Sequence, residues 1–218
     1  MNSPMIQLLV LAGIAVFLIL RLKNVLGTRD GFEKPPVSQE STARKRPEFE
    51  VIEGGPDHDI TDHVDAESPQ ALDLASMKRI EPSFSVSDFV QGARGAYEMI
   101  LMGFERGDLN DIQPFLAEDV FETFVEVVAA REDQGLKIEA EFGGVREVSI
   151  QNVKFDKDSN VGEITMRFVA ELTSVVRDKG GDIIEGDETA LKKQKDTWTF
   201  ARTMGADNPN WLLVATDG

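Results

Sequence analysis

The spacing of apolar residues changes at Gly135, and this change limits the possible folds more than any other feature of the sequence. Between Ser68 and Gly135, apolar residues recur every three or four positions, as they do on the buried face of a helix. After Gly135 they alternate with polar residues, as they do in strands that bury one face. A group of helices followed by a group of strands predicts an α+β domain with an antiparallel sheet.

The first part of this domain contains the end signals of two helices. Ser68 is a favourable N-cap, and the helix that follows it is predicted to stop before Pro82. Ser87 or Asp88 is expected to cap a longer helix that ends at Gly107. The buried face of the longer helix is predicted to comprise Phe89, Ala93, Ala96, Tyr97, Ile100 and Phe104.

Glycines mark both the interior of this longer helix and the end of the next one. The next helix is predicted over 118–134, with Gly135 as its C-cap. The longer helix contains Gly92 and Gly95, and a glycine inside a helix costs about 1 kcal/mol relative to alanine. We therefore expect these two glycines to permit close packing against another backbone.

Four strands are predicted after Gly135, and turn-forming residues separate them. Gly180-Gly181 is one such turn, so neighbouring strands are expected to pair antiparallel. We expect a curved four-stranded sheet that wraps over the helices and encloses a cone-like pocket. The predicted strands are 145–155 with a bulge near Asn152, 161–176, 188–202 and 210–216.

Residues 4–26 are predicted to form a single transmembrane helix. From Met5 to Leu20 only Gln7 is strongly polar, and the run is extended by the apolar stems of the flanking residues. Because Arg21 and Lys23 follow the run, the positive-inside rule places the N-terminus outside and the remainder in the cytoplasm. A cleaved signal peptide and a buried core helix are the alternatives. No basic region precedes the run, which argues against the signal peptide, and no partner helices lie nearby.

Residues 27–67 are predicted to be a disordered acidic tether, and residues 68–218 the folded domain. The tether is polar, contains several prolines and shows neither a helical nor a strand period. Its histidines, His58 and His63, stand among aspartates and could bind a divalent metal weakly. A solvated acidic stretch explains them better, so we predict no metal site and no cofactor.

Composition excludes several classes of function. The net charge of −16 opposes binding to nucleic acid, which requires a basic surface. The chain has no cysteine, and both histidines precede the predicted domain, so neither a Cys-His nor a Ser-His-Asp site can form within it. A buried carboxylate acting as general base stays open, with nothing to select among Glu139, Glu141, Glu163 and Glu171. We expect a protein that is not an enzyme.

Several segments resemble one family, the TimA-type adaptor proteins of alphaproteobacteria. The resemblance covers about residues 70–216 and includes "FSVSDFVQGARGAYEMILMGFERGDL" and "ITMRFVAELTSVVRDKGGDIIEGD". Its most specific part is "DTWTFARTMGADNPNWLLVAT", with Trp-Thr-Phe-x-Arg and Pro-Asn-Trp-x-Leu. The same domain occurs in the membrane-anchoring Tim subunit of forty-four kilodaltons of the mitochondrial import motor.

The resemblance implies a fold akin to nuclear transport factor 2, with a large apolar pocket and no catalysis. It also implies partners at the bacterial inner membrane: membrane proteins or chaperone proteins, and phospholipid. Contact with lipid is attributed in the mitochondrial relative to helices that correspond to about 71–80 and 89–104 here. The expected function is therefore a membrane-anchored adaptor in protein translocation or membrane-protein assembly. Binding of a lipid or acyl chain in the pocket is the alternative.

Aromatic residues of the last two strands are the predicted binding surface. Trp198 and Phe200 share one strand face, and Trp211 and Leu213 share a face of the next strand. Together they would form an aromatic wall that faces the helices, either filling the core or lining the pocket. The predicted pocket or partner-binding residues are Tyr97, Phe104, Phe168, Trp198, Phe200, Trp211 and Leu213.

Overall fold

A computed structural model describes residues 57–217 of the chain. The helices of this part precede the strands, as the change of apolar spacing predicts. The helices are α1 (His58–Thr61), α2 (Pro69–Ile80), α3 (Val86–Arg106) and α4 (Glu118–Gln134), with a 3-10 turn at Gln113–Phe115 between α3 and α4. The strands are β1 (Lys137–Asp156), β2 (Val161–Arg177), β3 (Ile183–Thr203) and β4 (Leu212–Asp217).

The four strands form one antiparallel sheet in the order β1-β2-β3-β4. β1 and β2 pair along most of their length, whereas β4 pairs only with residues 197–201 of β3. The helices pack on this sheet, with α2 and α3 in contact with β1. The predicted α+β class and the four-stranded antiparallel sheet are therefore confirmed.

Two strands begin earlier than predicted. β1 begins at Lys137 rather than at residue 145, and β3 begins at Ile183 rather than at residue 188. The predicted start of β1 lies after Gly143 and Gly144 because glycines usually weaken a strand. The strand in fact continues through both glycines. Here the pairing register shifts between Phe142 and Gly144, as it does at a β-bulge. The predicted bulge near Asn152 is confirmed by a register shift between Ile150 and Asn152.

The helix ends match the predictions, Gly107 at the end of α3 included, except at the start of α3. Ser68 caps α2, with its Oγ accepting a hydrogen bond from the amide of Ala71 at 3.2 Å. Gly135 ends α4 in the left-handed conformation, with φ of +67°. The cap of α3 is neither Ser87 nor Asp88 but Ser85, whose Oγ accepts a hydrogen bond from the amide of Asp88 at 3.1 Å. Helix α3 therefore begins earlier than predicted.

Helix α1 lies inside residues 27–67, the stretch predicted to be a disordered tether. The ordered part of the chain therefore begins before residue 68. Ile60 in α1 is only 5% exposed and belongs to the hydrophobic core. Its neighbour Asp59 forms an ion pair with Lys78 of α2 and accepts a hydrogen bond from the amide of Val86 at the start of α3. Within residues 57–217, no helix is both long and apolar enough to cross a bilayer. The predicted anchor, residues 4–26, lies outside the described residues.

The core lies between the inner face of the sheet and helices α2 and α3. Along β2 alternate apolar residues form the inner face, where Ile164, Met166 and Phe168 are fully buried. In α2 the buried residues include Leu74 and Met77, whereas Leu72 is 66% exposed. Most of the apolar surface of α2 is therefore covered by the protein itself.

Candidate functional site

Five of the seven predicted binding residues lie in the core. Tyr97 stacks on Phe168 with ring centroids 4.4 Å apart, and Trp198 lies 4.7 Å from Tyr97. The two aromatic residues of β3, Trp198 and Phe200, are 5% and 2% exposed. Leu213 is fully buried, and its carbonyl accepts a hydrogen bond from the amide at the N-cap of α4. These contacts join helices α3 and α4 to the sheet.

The other two predicted residues lie at opposite ends of α3. Phe104 packs on Phe124 of α4, with ring centroids 4.5 Å apart, and the guanidinium carbon of Arg131 lies 4.4 Å from the centroid of the Phe104 ring. Trp211 is half-buried and packs against Phe89 at the start of α3, with centroids 4.6 Å apart. The structure therefore divides the seven predicted residues between the core and two separate places at its edge. A binding role for these residues stays a prediction.

An apolar groove of about 440 Å³ lies between α3 and the loop that precedes β4. Of the predicted residues, only Phe200 and Trp211 line it. Its floor and walls are mainly aromatic or small, and its rim carries serines, an asparagine and two acidic residues. The residues around the groove are Glu81, Ser83, Phe84, Ser85, Asp88, Phe89, Gly92, Ala93, Ala96, Ile100, Phe115, Phe200, Arg202, Pro209, Asn210 and Trp211.

Gly92 borders this groove, and neither Gly92 nor Gly95 forms the predicted packing contact. A Cβ atom added at Gly92 or Gly95 would meet no other atom within 4 Å. The prediction that another backbone packs against them is therefore wrong for residues 57–217. Gly92 lines the groove and Gly95 does not. The absent side chain at Gly92 leaves the space beside Trp211 and Phe89 open.

Arg202 brings a charge to the floor of the groove. Its side chain is 8% exposed and forms an ion pair with Glu81. Its Nη1 donates to the carbonyl of Pro209 at 2.9 Å, and the guanidinium carbon lies 5.4 Å from the centroid of Trp211. Burial raises the pKa of Glu81, but hydrogen bonds from the amide of Gly205 and from Arg202 outweigh it, so the net pKa is lowered.

Nothing in the sequence indicated that most of these residues would line a groove. Phe89 was predicted to be buried, but nothing indicated that Phe84 and Phe115 would approach it. The position of Arg202 could have been predicted from the sequence but was not. It shares a strand face with Trp198 and Phe200, so the period of two predicted a charged side chain on the inner face of the sheet.

A buried carboxylate lies deeper in the domain, on the inner face of β3. Asp196 is 9% exposed, and its Oδ2 accepts a hydrogen bond from the hydroxyl of Tyr97 at 2.5 Å. Burial raises the pKa of Asp196, although hydrogen bonds from Tyr97 and Gln194 oppose the shift. Burial also raises the pKa of Tyr97, and the hydrogen bond and negative charge of Asp196 raise it further. Neither Tyr97 nor Asp196 lines the apolar groove.

A second cavity, of about 700 Å³, opens where α3 and α4 end above the start of β1. Charged residues of both signs line it, among them Glu105 and Arg131. Burial raises the pKa of Glu105 while Arg131 opposes the shift. This cavity is polar, in contrast to the groove beside Trp211.

No metal centre is formed by the part of the chain that the structure describes. In that part, no three His, Cys, Asp or Glu side chains converge as ligands of one ion. Of the two histidines, His63 forms a hydrogen bond between its Nε2 and the Oγ of Ser87 at 3.0 Å. His58 is exposed.

Comparison with known proteins identifies the domain. The sequence model of the Tim44-like domain family matches residues 70–218. The mitochondrial import inner membrane translocase subunit TIM44-1 of Arabidopsis thaliana is 24% identical over 194 residues, which cover 84% of this chain and 40% of that protein. The present chain thus spans less than half the length of this relative.

Among solved structures, the intermembrane space region of the chloroplast protein ARC6 has 9% sequence identity and a TM-score of 0.37. That match covers 59% of this chain and 94% of the other, but a TM-score of this size does not establish a common fold. The family match, in contrast, extends over more than half of the chain and over every strand of the sheet. The chain belongs to the Tim44-like domain family.

Proposed function

We propose that this protein is a membrane-anchored adaptor without enzymatic activity, which binds protein partners through the groove between α3 and the loop before β4. The observation that carries the proposal is the position of Trp211, which is half-buried beside Phe89 in an otherwise open apolar groove. Partly exposed tryptophans in apolar concavities are typical of the central residues of protein interfaces. Membership of the Tim44-like family supports a place in protein translocation or in membrane-protein assembly.

The proposed location is the bacterial inner membrane. A single span over residues 4–26 would leave the N-terminus outside and the domain in the cytoplasm, as the charges after the apolar run favour. The relative from Arabidopsis is named as an inner-membrane translocase subunit, which agrees with a membrane-associated role. The cone-like shape akin to nuclear transport factor 2 is also part of this proposal.

Binding of a lipid or acyl chain is the second candidate function. A groove of about 440 Å³ falls in the range of small-molecule sites. The acidic residues Glu81 and Asp88 at its rim argue against an anionic head group, because like charges repel. A protein partner therefore explains the groove better.

Photo-crosslinking from the groove rim tests the adaptor function. Benzoylphenylalanine is placed at Asn210, on the rim, and as a control at Lys179, in the β2–β3 turn. Illumination of membranes that contain the full-length protein should yield protein adducts from Asn210 and not from Lys179. Adding Gly92→Phe, which fills the groove, should remove the adducts. Adducts from both positions, or lipid adducts alone, would contradict the proposal.

A further inference from the structure

The first part of β3 leaves one edge of the sheet free. Over residues 183–196, β3 pairs with β2 on one side, whereas β4 pairs only with residues 197–201 on the other. Every residue from 183 to 193 is exposed. The exposed apolar side chains of this stretch are Ile183, Ile184 and Leu191, at 44%, 38% and 57%. A free strand edge of this kind is a surface on which a strand of another chain can pair.

The charges along this edge form a mirror image of opposite sign around Ala190. Three acidic residues stand five, three and two positions before Ala190, and three lysines stand two, three and five positions after it. They are Glu185, Asp187, Glu188, Lys192, Lys193 and Lys195. Lysines on a strand edge usually keep copies of a protein apart. Here a second copy that runs antiparallel would place an acidic residue opposite each lysine.

Most of these charges are available to a second copy. Within residues 57–217, the side chains of Glu185 and of the three lysines form no hydrogen bond and no ion pair. Asp187 accepts from two backbone amides of its own chain, both through Oδ1. Glu188 forms an ion pair with Arg177. The charge pattern of the edge is therefore only partly neutralised by the chain itself.

A wide bulge lies at the centre of the free edge. Residues 188–191 have no partner on β2, because the pairing passes from Leu172 to Ser174 while four residues intervene on β3. Bulges prevent two edges from pairing along their whole length. The acidic stretch, residues 183–187, and the basic stretch, residues 192–195, remain on either side. The bulge contains both the midpoint of the free edge and the mirror point of the charges.

We propose that two copies of this chain associate through the free edges of β3, antiparallel and about a two-fold axis at Ala190. The acidic stretch of each copy would lie beside the basic stretch of the other, with Glu185 opposite Lys195 of the second copy. The exposed Leu191 of each copy would lie close to the axis. Because the same patch serves both copies, the association ends at two. This inference goes beyond the proposed adaptor function and does not depend on the groove beside Trp211.

The net charge of the chain does not prevent this contact. At −16, two copies repel each other at long range. At physiological ionic strength that repulsion is screened over about 8 Å, whereas opposite charges in contact lie well within this distance and still attract. Exposed ion pairs are individually weak, so we expect a reversible dimer rather than a permanent one.

Cysteine crosslinking of the full-length protein in membranes tests the arrangement. The chain has no cysteine, so Ala190→Cys supplies the only thiol. The two-fold axis would bring this position of both copies together, and a short bismaleimide reagent should therefore yield a covalent dimer. Lys179→Cys is the control, because the side chain of Lys179 lies against Gly135 of its own chain. It should yield little dimer under the same conditions.

A pair of charge reversals tests which residues face each other. Glu185→Lys or Lys195→Glu, each combined with Ala190→Cys, should reduce the dimer about fivefold, since each change places like charges opposite each other twice. Co-expression of the two variants with different affinity tags should restore a dimer that carries both tags, because the reversed charges then face each other. Both side chains are exposed and unpaired, and the restored dimer would itself show that both variants fold.

Four results would overturn the proposal. They are the absence of an Ala190→Cys dimer, an equal yield from Lys179→Cys, a dimer that neither charge reversal weakens, and a loss that co-expression does not restore. Adducts of Ala190→Cys with a different protein alone would assign the edge to another partner and belong to the first of these results. The adaptor function is judged separately, by crosslinking from Asn210, and either proposal can fail without the other.

Discussion

Asp59 accepts a hydrogen bond from the backbone amide of Ser87 at 2.9 Å, although the two residues are 28 positions apart in the chain. The same carboxylate accepts from the amide of Val86 at 2.8 Å and from the hydroxyl of Ser85 at 3.1 Å. Lys78 of α2 forms an ion pair with it, with Nζ 2.9 Å from Oδ2. One side chain of α1 thus caps the N-terminus of α3 and links it to α2.

Removing this carboxylate should destabilise the domain. Asp59→Ala leaves two amides at the first turn of α3 without an acceptor and Lys78 with one partner fewer. We expect the free energy of unfolding to fall by about 2–4 kcal/mol. Urea denaturation of the full-length protein in nanodiscs measures the change. Asp62→Ala, at an exposed aspartate just after α1, is the control and should be nearly neutral. A small effect at Asp59 would show that α1 is not required for stability.

Asp196 should make stability fall as pH rises. Burial raises its pKa in the folded state above that of the unfolded chain, so between the two values the folded state binds more protons. Stability therefore decreases with pH from about pH 4 upward through the raised pKa. Asp196→Asn keeps an acceptor for the Tyr97 hydroxyl and removes the charge. The variant should gain stability relative to the wild type as pH rises from about 4 to 7, measured by denaturation at several pH values. A constant difference would show that Asp196 does not titrate in this range.

The two tryptophans should respond differently to truncation. Trp198→Ala removes a ring that is 5% exposed and should cost about 3–5 kcal/mol. Trp211→Ala removes a half-buried ring at the groove and should cost about 1–2 kcal/mol. It should nevertheless abolish crosslinking from Asn210, at a temperature where circular dichroism shows that the variant is folded. Equal losses of stability would place Trp211 in the core, and retained crosslinking would remove it from the proposed interface.

Alanine substitutions at two glycines of the long β2–β3 hairpin should distinguish the cost of backbone strain from the cost of a steric clash. Gly181 and Gly186 have nearly equal positive φ angles, +88° and +87°. A Cβ at Gly181 would meet nothing within 4 Å, whereas one at Gly186 would lie 2.0 Å from the carbonyl oxygen of Ser174. Gly181→Ala should cost about 1 kcal/mol, from the left-handed conformation alone. Gly186→Ala should cost about 1–3 kcal/mol more, as overpacking does. Thermal unfolding compares the two, and equal costs would mean that the hairpin moves away from the added methyl group.

The elements that the sequence predicted well are those whose pattern is repeated many times. The inner face of β2 alternates over several residues, and α3 repeats its apolar spacing over about five turns, so tertiary contacts only reinforced these patterns. The start of β1 was missed because Gly143 and Gly144 interrupt the pattern at a bulge. Helix α1 was missed because four residues are too few to show a period. Its order depends on Asp59, whose contacts are distant in the chain.

The candidate site was predicted less well than the fold. The aromatic residues of the last strands were correctly expected to face the helices, but burial in the core and exposure in a groove produce the same alternation. Only the position of the loop before β4 leaves Trp211 half-buried. The role of Gly92 could not be predicted either. A glycine in a helical sequence does not show whether another part of the protein packs against it or whether it borders an open groove.

The contact between Asp59 and Ser85 has a mechanical consequence. Ser85 belongs both to this contact and to the lining of the groove. Tension along residues 1–56 would enter the described domain at α1 and reach Ser85 through the carboxylate of Asp59. A partner seated in the groove would therefore be loaded through a few hydrogen bonds at the N-terminus of α3.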